Sequence, residues 1–258
     1  MTLRWRRQVV SFLYHEVTDD PSSSGFQRPS ALPYKHGIAE FEQNLDAIQD
    51  ARVPVSRVHE LDPGTKEPAT LITFDDGGKS NLHSADALEK RGWKGHFFIT
   101  TSRIGDKTFL SASEIQELHQ RGHVIGSHSH NHPDVFYAQT YEEMMREWTD
   151  SRDILANVIG EAIHTAAVPG GEMDRRTQLS AQEAGFSFLF TSEPRLHPWQ
   201  LQSLTCLGRV GPKAGTPIPR VAALARRRGF LKEKAVRRIK TTLRRTYRPI
   251  QGLLSNKS

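Results

Sequence analysis

Ala69-Thr70-Leu71-Ile72-Thr73-Phe74-Asp75-Asp76-Gly77-Gly78 runs from apolar and β-branched residues straight into two adjacent carboxylates and then two glycines. The first six residues predict a buried strand, since a run without polar alternation suits a strand covered on both faces. The glycines let the backbone turn where that strand leaves the core. Two carboxylates at the exit are costly to bury without a counter-charge, so they point to a site rather than to packing. Further along, a strand predicted over His123 to Gly126 leads into His128-Ser129-His130-Asn131-His132-Pro133. A carboxylate pair and a group of imidazoles at two strand ends make up the donor set of a hydrolytic metal centre.

Outward from these two segments, short apolar runs alternate with amphipathic stretches. Strands are predicted at Val9 to Tyr14, His96 to Ile99, Ile163 to Val168 and Phe186 to Phe190. Helical spacing marks Phe41 to Ile48, Ser84 to Arg91, Tyr141 to Ile159 and Asp174 to Ala184, with Gly92 and Gly185 as stops. Ser111 followed by Glu114 is a capping-box signature for a further helix, which Gly122 ends. Repeated strand–helix alternation predicts an α/β fold with parallel strands and outer helices, as an open sheet or a barrel. In either form ligands sit at the carboxyl ends of the strands, where both metal-type segments fall. The Ser/Pro/Gly-rich stretch Asp19 to Lys35 reads as a long loop of functional rather than structural use.

The chain has 258 residues, enough for one sizeable domain. Its net charge of +6 divides unevenly. From Pro219 to Ser258 there are 13 Lys and Arg against the single acid Glu233, so this part carries +12 and the remainder −6. The expected organisation is a catalytic body over 1–212 and a basic, helical tail over 213–258. Leu224, Leu231, Ala235, Ile239, Leu243 and Tyr247 recur at roughly helical spacing in that tail, among arginines. Such a helix can pack on the body or lie on an anionic membrane surface. Nucleic acid is not an expected partner, because no recognised fold or aromatic interleaving accompanies the charge. Cys206 is the only cysteine, which excludes an internal disulfide and a thiolate-rich metal site; it reads as a small hydrophobe. No run of eighteen apolar residues and no convincing N-terminal signal is present. The expectation is a cytoplasmic protein, peripheral on the inner face of the membrane.

His128 and His132 are four residues apart, so on one helical turn they would project from the same side. With Asp76 as third ligand they suit one divalent ion and leave Asp75 as a base for its water. The turn Pro169-Gly170-Gly171 at another strand end offers backbone N–H groups for an oxyanion. His130 reads as a neighbour of the ligands, and Glu193 and Arg209 as substrate contacts.

These segments resemble the NodB-homology domain of polysaccharide deacetylases, carbohydrate esterase family four. Thr73 to Gly77 matches its first motif without change, and His128, Ser129, His132 and Pro133 match its second. The resemblance covers roughly Gln8 to Val210. It implies a distorted (β/α) barrel of about seven parallel strands, with Asp75 as base and Asp76, His128 and His132 on a divalent metal. Zinc fits best, with cobalt or nickel as substitutes, and the implied substrate is a carbohydrate bearing N-acetyl groups.

Three departures stand out. The third motif's Arg is absent from Ala167-Val168-Pro169-Gly170-Gly171, leaving Arg175 and Arg209 as stand-ins. The fourth motif's Trp has only Trp199 as a weak counterpart. No histidine follows His197, so the last motif is missing. In a circularly permuted branch of the family, a strand ending in Tyr-His at the N-terminus supplies the acid histidine. Phe12-Leu13-Tyr14-His15-Glu16-Val17 is similar to it, which implies His15 as general acid. Rival readings are a deacylase acting on another substrate with the same metal set, and a carbohydrate-binding relic without turnover.

Overall fold

A computed structural model describes residues 5–239. Seven parallel strands close into a barrel: β1 (Val9–Tyr14), β4 (Ala69–Phe74), β5 (His96–Ile99), β6 (Val124–Ser127), β7 (Thr165–Ala167), β8 (Phe188–Thr191) and β10 (Leu204–Val210). They neighbour one another in that order, and β10 pairs back onto β1. The short β2 (Glu16–Val17) and β3 (Lys35–His36) form a separate parallel pair at the barrel's mouth, and β9 (Trp199–Leu201) lies antiparallel outside β10. Outer helices are α1 (Ile38–Gln49), α2 (Asn81–Glu89), α3 (Ala112–Gln120), α4 (Tyr141–Ile159), α5 (Arg175–Glu183) and α6 (Ile218–Ala225).

The barrel arises because its strands carry no polar face. β1, β4, β5 and β10 are buried along their whole length. One layer of side chains, from Val9, Leu71, Phe98, Ala167, Phe190 and Leu207, fills the inside. The other packs the outer faces against helices, as in the Phe74–Phe97 stack at 4.9 Å. Helix starts follow local chemistry: Ser111, Thr140 and Asp174 accept from the backbone N–H three residues on, each in a capping box. Gly160, at φ 76°, closes α4.

The stretch beyond 213 does not stand apart from the body. Val221, Leu224 and Ala225 of α6, and Phe230 after it, are buried in the same cluster as the barrel's helices. Gly229, at φ 84°, interrupts the tail helix near its start, as the sequence predicts, and residues 230–239 form a second helical piece. The rest of the expected helix, over 240–258, lies outside the described residues. Among the described residues no helix is long and apolar enough to cross a membrane.

Candidate active site

Register brings the site together. Tyr14 is paired with Phe74, so the next residues, His15 and Asp75, leave adjacent strands side by side. Asp75 N–H donates to Tyr14 O at 3.0 Å. Ile99 is paired with Ser127, and His128 N–H donates to Ile99 O at 2.9 Å. The barrel's carboxyl end opens into a cleft of about 320 Å³ that holds His15, Asp75, Asp76, His128 and His132.

Asp76, His128 and His132 present donor atoms that all lie within 4.8 Å of one another. Asp76 Oδ1 is 3.5 Å from His128 Nε2 and 3.4 Å from His132 Nε2. The two histidines do not sit on a helical turn, contrary to expectation. Their segment is a bent loop in which Ser129 (φ 65°) and His132 (φ 56°) take left-handed backbone. Ser129 makes this bend: its Oγ accepts the His132 N–H at 3.0 Å, while its own N–H donates to Ser127 Oγ at 3.1 Å. Asp76 is left-handed as well, at φ 78°, so among the described residues three of the six non-glycine residues with positive φ belong to this one site. Strain of that kind concentrates where a function requires the geometry.

The donor set suits a divalent cation. Asp76 Oδ1 is buried, has no hydrogen-bond partner among the described residues and faces the two imidazoles. Burial raises the Asp76 carboxyl to about 6, with the Asp75 charge adding to it and His15 opposing. Burial also lowers His128 to about 3 and His132 to about 4, so both rings are neutral. His128 Nδ1 donates to Ala167 O at 2.9 Å, which leaves Nε2 with its lone pair toward Asp76. A reluctant carboxylate between two neutral imidazoles lacks one positive charge, and a bound divalent ion would supply it.

Asp75 behaves differently. Arg209 meets it with two parallel hydrogen bonds, Nη1 to Oδ1 at 2.6 Å and Nη2 to Oδ2 at 2.8 Å. Burial pushes this carboxyl up, but Arg209, with help from His128, outweighs it and holds Asp75 at about 2. Arg209 is itself buried; it donates to Thr73 Oγ1 at 3.2 Å and Thr191 O at 3.3 Å, with its guanidinium over Phe98 and Phe190. Its reading as a substrate or oxyanion contact is therefore corrected. Both arms of the fork are engaged by Asp75, so of the two stand-ins for the third motif's Arg it is Arg209 that reaches this carboxylate. Arg175 is exposed at the start of α5 and takes no part.

The 169–171 turn needs a similar correction. Pro169 has no N–H, and the Gly171 N–H donates to Val168 O at 2.8 Å. Of the three, only Gly170 retains an N–H to offer the cleft, which it lines. Gly171 serves packing: a Cβ there would stand 1.8 Å from Ser192 Oγ. Trp199 lies on β9 under Arg195, away from the cleft, and Glu193 is exposed outside it. His130 turns aside to Thr101 Oγ1 at 2.9 Å.

His15 lines the cleft against Tyr34, ring centroids 4.7 Å apart, and its Nδ1 has no partner among the described residues. Burial lowers its pKa, partly offset by Asp76 and Asp75, so the resting ring is neutral.

The buried Glu16 was not among the expected site residues. Ser24 Oγ donates to it, as does Ser80 Oγ at 2.6 Å, while Lys35 Nζ holds Ser24 O at 2.7 Å and also Pro21 O. This network fastens the 19–35 loop over the site, where Phe26 packs on His132 at 5.1 Å. Burial raises Glu16 to about 7, against the Ser24 and Ser80 hydrogen bonds. A carboxyl raised on folding contributes stability that is complete below its unfolded value of 4.5 and is lost as pH rises through about 7. In metal-free protein the melting temperature should thus fall between pH 5 and pH 8, and Glu16→Gln should flatten that fall. An unchanged slope in the variant would exclude Glu16 as its source.

The sequence profile of the polysaccharide deacetylase family matches residues 62–189, the span holding Asp75, Asp76, His128 and His132. The chain belongs to the polysaccharide deacetylase family. YxkH of Bacillus subtilis (strain 168) is 30% identical over 134 residues, covering 52% of this chain and 48% of that protein. Peptidoglycan-N-acetylmuramic acid deacetylase PdaA of the same organism is 36% identical over 73 residues, covering 28% of this chain and 26% of PdaA. The chain thus spans about half or less of these relatives' length. The solved structure of IcaB from Ammonifex degensii superposes with a TM-score of 0.70 at 24% identity, over 85% of this chain and 97% of that one. That likeness concerns the fold. Within the family profile neither His15 nor Arg209 is covered, since both lie outside 62–189.

Proposed function

We propose that this polysaccharide deacetylase homologue removes N-acetyl groups from amino sugars of a poly- or oligosaccharide by hydrolysis. The observation that carries the proposal is an ionised carboxylate, Asp75, held beside a separate Asp76–His128–His132 donor triangle in one cleft. A divalent ion on that triangle, zinc by the nitrogen and oxygen donors it would meet, polarises a carbonyl and acidifies water.

The chain's own groups do the rest. Asp75 accepts the proton of the attacking water. Its Oδ2 lies 3.7 Å from His128 Nε2, so the carboxylate that Arg209 grips also turns toward the ligand set. Each carboxylate oxygen keeps a second lone pair for that proton. Arg209 costs Asp75 some basicity and in exchange fixes its orientation and keeps it ionised. The Gly170 N–H, on the cleft's lining, would donate to the developing oxyanion. His15 then gives a proton to the leaving amine. Neutral at rest, it takes this proton from solvent as negative charge builds on the reacting carbon's oxygen, because a nearby anion raises an imidazole's pKa, and Asp75 returns its own proton to solvent as acetate leaves.

Acetate release from N-acetylated chito-oligosaccharides tests the reading. Release should require added divalent metal and stop with a chelator. Release that persists in excess chelator would leave Asp76, His128 and His132 without their assigned role.

A further inference from the structure

The cleft has walls that the barrel does not supply. One is the loop bearing Phe26, Arg28 and Tyr34, and the other is the helical piece at 230–239, whose Glu233, Val236 and Arg237 line it. Beside the buried Phe230, polar contacts among the described residues fasten this second wall at two points. Arg220 of α6 donates to Glu233 Oε1 from Nε at 2.9 Å and from Nη2 at 2.6 Å. Arg237 donates to Gly170 O at 3.4 Å and pairs with Glu172 at 3.8 Å, which joins the helix to the turn beside the reacting centre. The half-open cleft, about 320 Å³, is at the low end of the ~300–1,000 Å³ of small-molecule sites. It has room for one sugar and its acetyl group, whereas a long polymer needs an open groove in which neighbouring sugars pass on both sides.

We infer that the helix at 230–239 is a specificity-determining wall, which confines the enzyme to lone or chain-terminal amino sugars. The inference rests on the deacetylase reading above and adds the size of substrate. Arg220 and Glu233 set the wall's position from outside the chemistry. When the helix is fastened, sugars beyond the reacting one meet Val236 and Arg237. When it is released, they pass.

The test compares wild type, Arg220→Glu, and Arg220→Glu combined with Glu233→Arg, all full length and zinc-loaded. Three probes are used: a small aryl acetate, N-acetylglucosamine disaccharide and the corresponding fully N-acetylated pentasaccharide, scored for deacetylation at its internal positions. Wild type should favour the disaccharide. Arg220→Glu should raise internal deacetylation of the pentasaccharide relative to the disaccharide at least fivefold, with aryl acetate hydrolysis within about twofold of wild type. The reversed pair should return the ratio toward wild type, a rescue that a loss of general stability would not give. Equal ratios in the three proteins, or efficient internal deacetylation by wild type, would overturn the wall. If none of the probes is hydrolysed, the deacetylase reading fails instead. The wall is then judged by hydrogen exchange at 230–239, which Arg220→Glu should speed and the reversed pair should slow; unchanged exchange would overturn it.

Discussion

Asp75→Asn is expected to slow acetate release by about a hundred- to ten-thousand-fold, the range for loss of a positioned general base, while one metal ion still binds. The amide keeps the shape and keeps an acceptor for Arg209, but it cannot take a proton from water. Because Asp75 is outside the Asp76–His128–His132 triangle, metal content measured on the purified variant should equal that of wild type. A variant that retains more than a tenth of the wild-type rate would remove Asp75 from the proposed chemistry. One that loses its metal would instead make Asp75 a ligand.

Arg209→Met should cost both stability and activity. Removing one partner of a buried ion pair leaves an uncompensated charge, at about 3–5 kcal/mol, and here the survivor is the buried Asp75. With the guanidinium gone, burial is opposed mainly by His128, so the Asp75 pKa should rise from about 2. The sign of the pH effect follows. In wild type the depressed carboxyl contributes stability that is present above its ordinary 3.8 and lost only as pH falls through about 2. In the variant that contribution is gone, and the acid limb of the activity profile should move to higher pH. Denaturant midpoints and pH–rate profiles check the two halves. A variant as stable as wild type, with an unmoved acid limb, would show that Arg209 does not govern Asp75.

How far the chain could be read beforehand follows from where each residue finds its partner. Ala69–Phe74, His96–Ile99 and Tyr141–Ile159 are found at the bounds their patterns predict, because burial and capping act within a few residues. The strand predicted over Ile163 to Val168 shrinks to Thr165–Ala167 for a similar local reason: pairing with β6 is a single rung, Ser127 with Ala166. The metal triangle was legible since its residues come as compact motifs. Arg209 was not. A glycine and a charged residue inside Leu204–Val210 argue against a buried strand, and the carboxylate that compensates the charge lies 134 residues away. Glu16 was hidden likewise, its partners being Ser24 and the distant Ser80. The spacing of His128 and His132 pointed to a pair that does come together, but by a different geometry, since a bent loop rather than a helix aims them at one point.

Metal binding by the purified protein tests the central claim most directly. Titration of metal-free wild type with zinc should show one tight equivalent, and His132→Ala should lose at least a hundredfold in affinity with its fold intact by circular dichroism. A wild-type protein that takes up no zinc, cobalt or nickel, or a His132→Ala protein that binds zinc as tightly as wild type, would contradict it.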